Sequence, residues 1–63
     1  MISKIEVTIG DNSPAVFVGE IMFDGRGDDG ERELQMRGRW EGLTQTLTII
    51  FTQPTCSWKY LEV

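Results

Sequence analysis

The chain has 63 residues, ten Asp and Glu against six Lys and Arg, a net charge of −4, one cysteine and no histidine. A chain of this length accommodates one domain and buries only about 60% of the surface its unfolded form exposes, so a catalytic cleft competes with the core for residues. Without histidine there is no Ser/His or Cys/His nucleophile pair and no His-based zinc site, a lone cysteine makes no internal disulfide, and an acidic balance opposes direct nucleic-acid binding.

Residues 2–9 alternate, with Ile5, Val7 and Ile9 on one parity and Lys4, Glu6 and Thr8 on the other, the period of a half-buried strand. Gly10 to Pro14 is a cluster of turn residues. Ala15 to Phe23 is rich in Val, Phe and Ile and predicts a second strand. Asp24 to Gly30 suits only a loop. Glu31 to Trp40 alternates again, with Leu34, Met36 and Trp40 facing one way and Glu33, Gln35, Arg37 and Arg39 the other. Glu41-Gly42 predicts a tight turn, Leu43 to Thr52 a fourth strand and, after Gln53-Pro54, Cys56, Trp58 and Tyr60 define the inward parity of a fifth.

In a hairpin, paired residue numbers sum to a constant, and a slip by one exchanges the two faces. The first hairpin is expected to set Val7 against Phe17 and Ile5 against Gly19 inside, and Lys4 against Glu20 outside. The second, with Ile21 opposite Leu34, sets Met36 against Gly19, Phe17 against Gly38 and Trp40 against Ala15, a bulky residue meeting a small one in each of these three pairs. The third sets Met36 against Leu47 and Leu34 against Ile49, and a fourth, closed over Gln53-Pro54, sets Ile49 against Trp58 and Leu47 against Tyr60. All of these turns agree on one inner face. With no helix to cover that face, the expected fold is all-β, a five-stranded antiparallel meander curled into a small barrel or half-barrel, with a face-to-face dimeric sandwich as the alternative.

The acidic loop holds Asp24, Asp28, Asp29 and Glu31 among glycines, the hard-oxygen chemistry of a calcium site. It departs from the EF-hand template: Arg26 takes a ligand position, Asp29 the sharp-turn glycine, and no helices flank it. It is read as a solubilising loop, with no metal and no cofactor expected. Cys56 lacks an imidazole to activate it and points inward as a small apolar residue. Trp58 and Tyr60 are read as core contributors.

The outer face carries more information. Arg37 and Arg39 are expected opposite Val18 and Val16, their aliphatic stems over those side chains, the composition of a protein-binding patch. The functional expectation is therefore a non-enzymatic module that docks on another protein through its sheet face (Val16, Val18, Arg37, Arg39), its acidic loop (Asp28, Asp29, Glu31) or a strand edge. The alternative is an acidic nucleic-acid mimic, by analogy of size and charge with small phage-encoded inhibitors of host defences. A third is a small-ligand carrier or enzyme with a shared dimer cleft. A homodimer is compatible with each. No apolar run approaches a membrane span and no signal-type segment opens the chain, so a cytoplasmic location is expected, the host's if the chain is phage-derived.

Overall fold

The computed structural model describes residues 2–61. They form five strands and no helix: β1 (Ser3–Ile9), β2 (Ala15–Arg26), β3 (Arg32–Trp40), β4 (Leu47–Thr52) and β5 (Cys56–Leu61). All neighbours are antiparallel, in the order β4-β3-β2-β1-β5. The first four strands are the expected meander. The fifth is not the expected hairpin partner of β4, because it crosses to the other edge and pairs with β1, setting Trp58 opposite Val7 and Tyr60 opposite Ile5. Inward parity is the same in either pairing, so alternation alone does not separate them. Pairing with β1 places Ile5 and Val7 inside the sheet rather than on its margin, and both are buried.

Only residues 53–55 link β4 to β5, although these strands lie at opposite edges of the sheet. A link of that length spans at most about 14 Å between flanking Cα atoms. The sheet must therefore curl until its two edges approach, and the rings of Phe51 on β4 and Trp58 on β5 lie 6.4 Å apart across the concave side. The curl stops short of closure, since no ladder joins β4 to β5, which corrects the closed-barrel form of the expectation.

The concave face holds the core of Ile5, Val7, Phe17, Leu34, Met36 and Phe51, with Ile21, Trp40, Ile49, Cys56 and Trp58 packed around it. It is buried within one chain, so the second copy of a face-to-face sandwich is not needed to cover it. Phe17 stands edge-on to Trp40 at 5.1 Å and to Phe51 at 5.8 Å. Such contacts contribute about 0.5–1.5 kcal/mol each beyond their buried area.

The three expected hairpins that form keep their faces but slip by two positions, in β2 as far as the irregularity between Ile21 and Phe23. Ile5 faces Phe17 rather than Gly19. Phe17 faces Trp40, and Gly19 faces Gly38 rather than Met36. Met36 faces Ile49 rather than Leu47. The expected register opposed large residues to small ones, whereas the fold opposes two glycines and pairs two aromatic rings. A Cβ on Gly19 would strike the Arg37 carbonyl oxygen, and one on Gly38 the Val18 carbonyl oxygen. The β2 and β3 backbones thus approach where neither residue carries a side chain. The outer faces slip in the same way: Lys4 faces Val18, not Glu20, and forms an ion pair with Glu41 at 3.2 Å.

Two boundaries also move. Glu41-Gly42 is a tight turn, with the Leu43 N–H donating to Trp40 O at 3.0 Å, yet it does not close the hairpin. The chain runs on to Leu47 before β4 begins, so Thr44 and Thr46 lie in the connection and the outer parity of the strand is left to Thr48, Ile50 and Thr52. Strand β2, expected to end at Phe23, continues to Arg26 through a bulge between Ile21 and Phe23.

Candidate functional site

The outer face is built from cross-strand rows. Lys4, Val18 and Arg39 stand in one row, Glu20, Arg37 and Thr48 in the next, and Phe23, Gln35 and Ile50 in a third. Arg39, not Arg37, therefore lies across from Val18, and Arg37 lies across from Glu20, which corrects the expected pairing by one row. Val16 sits beside Glu6, and its carbonyl accepts the Glu41 N–H at 2.8 Å, so its backbone is committed to the hairpin.

Val18, Arg37 and Arg39 do converge. With Ile2, Glu20 and Thr46 they line an open depression of about 590 Å³, whose lining includes the opposed Gly19 and Gly38. The close approach that the two glycines allow thus lies at a recess in the outer surface. Its charge is distinctive within an acidic chain. Neither Arg37 nor Arg39 has a carboxylate within ion-pair distance among the described residues. Arg39 donates from Nη1 to Leu43 O at 3.1 Å, which leaves most of its N–H donors open. Exposed apolar side chains flank the recess, among them Ile2 at 55% and, in the third row, Ile50 at 58% exposure.

The other expected group, Asp28, Asp29 and Glu31, lies elsewhere. Seven residues of β2 lie between Val18 and Arg26, roughly 25 Å of strand, so loop and recess are separate surfaces. The loop's composition is accounted for by its own geometry. The Gly30 N–H donates to Gly27 O at 3.0 Å and the Gly27 N–H to Glu31 O at 2.9 Å, with Gly30 at φ +84°, the arrangement of a three-residue hairpin loop that ends in a left-handed glycine. Asp29 Oδ1 accepts the Glu31 N–H at 3.0 Å, and Arg26 donates to Gly30 O at 2.8 Å. Among the described residues no three acidic or sulfur ligands gather closely enough to hold a metal ion.

A third cluster escaped the sequence reasoning. Asp24 Oδ1 accepts from Arg32 Nη2 at 2.7 Å and from Nε at 3.1 Å, while its Oδ2 accepts from the Tyr60 hydroxyl. The Arg32 guanidinium lies 5.7 Å from the Trp58 ring centroid, a cation–π distance. These residues form a clasp between β5 and the far end of the β2–β3 hairpin, at the mouth of the curl. The hydrogen bond from Tyr60, with the Arg32 contact second, holds the Asp24 carboxyl below the usual carboxylate range. Burial, followed by the neighbouring carboxylate, pushes the Tyr60 hydroxyl up. Tyr60 is thus a half-exposed polar tether rather than the core residue its parity suggested. The signal that could have exposed the clasp is the bulge, which puts Asp24 opposite the buried Leu34 and turns it to the concave side.

No helix among the described residues is long and apolar enough to cross a membrane. No family model, curated protein or solved structure matches the chain.

Proposed function

We propose that the protein is a non-enzymatic binding module that docks on another protein through its outer sheet face, centred on Val18, Arg37 and Arg39. The observation that carries this reading is the recess over the Gly19–Gly38 approach, where arginines with no carboxylate partner among the described residues border exposed aliphatic surface. Interface centres combine arginine with apolar side chains in this way. The free thiol of Cys56 fits a reducing compartment such as the cytoplasm. Imitation of nucleic-acid phosphates would call for an unbroken negative surface. Instead Asp24, Glu6 and Glu41 are each held beside Arg32, Lys59 and Lys4, and the acidic loop is interrupted by Arg26.

The test is capture of partners from the source cell by the tagged full chain, compared with Val18→Asp and Arg39→Glu after circular dichroism has shown both variants folded. A specific partner should be retained by the wild type and lost by both variants. Equal retention by all three overturns the assignment to this face.

A further inference from the structure

We infer that the recess receives an extended acidic segment of a partner protein, its carboxylates on Arg37 and Arg39 and an apolar side chain against Val18 and Ile2. This rests on the reading of the outer face as the docking surface and names the chemistry of what docks there. Charge segregation is the first argument. The chain carries a net charge of −4, yet Lys4, Arg37 and Arg39, three of its six basic residues, stand in two neighbouring cross-strand rows of one face, with Glu20 the one carboxylate in those rows. Lys4 is already engaged by Glu41 at 3.2 Å. The two arginines are not engaged by carboxylates among the described residues, and an arginine fork offers paired donors that match a carboxylate.

Spacing is the second argument. Arg37 and Arg39 are alternate residues of β3, so their stems leave the same face roughly 7 Å apart. Alternate side chains of an extended peptide have that same separation, so a segment with acidic residues at every second position meets both arginines in register. Val18, across from Arg39, and Ile2 supply the apolar floor and wall for a residue between them. Glu20 gives the recess its selectivity. It faces Arg37 across the strands and lines the same depression, so a continuous polyanion meets repulsion that a mixed acidic and apolar segment avoids.

The experiment titrates the isotope-labelled full chain with a synthetic eight-residue peptide alternating Glu with Val and Thr, and with counterparts carrying Gln or Lys in place of Glu. Amide shifts should be confined to residue 2 and residues 16–20, 37–39 and 46. The Gln peptide, or the variants Arg37→Gln and Arg39→Gln, should bind at least about tenfold more weakly than the matched pair. Equal binding of the Glu and Gln peptides, shifts mapping to the Asp28–Glu31 loop or to β5, or no binding at millimolar peptide each overturn the inference. If a native partner is nevertheless lost on Val18→Asp, the face reading stands and only the acidic-segment chemistry fails. If Val18→Asp keeps that partner, the face reading itself fails. Light scattering covers the competing occupant: a concentration-dependent dimer abolished by Arg39→Glu would assign the recess to the acidic loop of a second copy and overturn the partner assignment.

Discussion

Strand β2 changes character at Met22. Before it, Phe17 to Gly19 is paired on both sides, by β1 and β3, and the inward residue Phe17 is fully buried. After it, Phe23 to Arg26 is paired with β3 alone, Phe23 joins the outer face opposite Gln35, and the carboxylate of Asp24 turns to the concave side opposite Leu34. One extra residue separates a part that is doubly paired over Phe17 to Gly19 from a part that pairs with β3 alone and is tied in addition by side-chain contacts of Asp24 to Tyr60 and Arg32. The difference shows how a small sheet finishes its curl. Where strands run out, a polar clasp closes the mouth, and the bulge supplies its central residue.

Glycine substitution is the sharpest way to break the comparison. In the first half, Gly19→Ala sets a methyl group against the Arg37 carbonyl and the Gly38 Cα, backbone atoms of a paired strand that have nowhere to go. The expected cost is about 3 kcal/mol or more, enough to unfold much of a domain this small at ambient temperature. In the second half, Gly25→Ala would bring Cβ 3.0 Å from Phe23 Cζ, the far end of a ring that can rotate aside. Its expected effect is below about 1 kcal/mol, with entropy of the unfolded chain partly offsetting any crowding. Urea unfolding followed by tryptophan fluorescence measures both, and equal midpoints for the two variants would refute the contrast.

The same contrast explains what the sequence made legible. Alternation identified the inner face correctly: Glu6 between Ile5 and Val7, and Gln35 between Leu34 and Met36, admit only one choice of face, and Thr48 and Thr52 flanking Ile49 and Phe51 point the same way although Ile50 between them is apolar. Register was legible only to within an even slip, since moving a strand by two positions keeps every side chain on its face. What decided the slip was a backbone approach between Gly19 and Gly38 and an edge-on contact of Phe17 with Trp40, both visible only in three dimensions. The partner of β5 was illegible for a related reason, as β1 and β4 offer it equivalent inward residues. The recess was half legible: Val18, Glu20, Arg37, Arg39 and Thr46 could be assigned to one face, but Thr46 reaches it from the connection before β4 rather than from a strand, and no pattern pointed to Ile2.

The clasp gives the intermediate effect. Tyr60→Phe removes the hydroxyl that donates to Asp24 while leaving the ring, and both groups are substantially exposed, so the expected loss is about 1 kcal/mol. The pH dependence has two sides. The folded Asp24 carboxyl titrates below its unfolded value, so its contribution is present above that value, near 3.9, and disappears as pH falls through the folded one. The folded Tyr60 hydroxyl titrates above its unfolded value, near 10, so its contribution is complete below that pH and is lost as pH rises through the folded one. Wild-type stability should decline at both extremes, and Tyr60→Phe should remove the alkaline decline and blunt the acid one. Parallel pH profiles for the two proteins would show that the clasp contributes nothing to holding β5.

The smallest effect on stability is expected where the largest effect on binding is proposed. Arg37 and Arg39 project from the outer face, and neither contributes a described ion pair to the fold. Arg37→Gln should change unfolding free energy by no more than about 0.5 kcal/mol, the ordinary range for a surface substitution. Arg39→Gln gives up one hydrogen bond to Leu43 O, an exposed contact at the entrance to the connection before β4, and should remain within about 1 kcal/mol. If either change instead destabilises the chain as strongly as Gly19→Ala, the arginines are structural staples over the β2–β3 approach. Stability near wild type, combined with weakened docking, separates the two faces of the same strands: one holds the fold together, and the other is free to engage a partner.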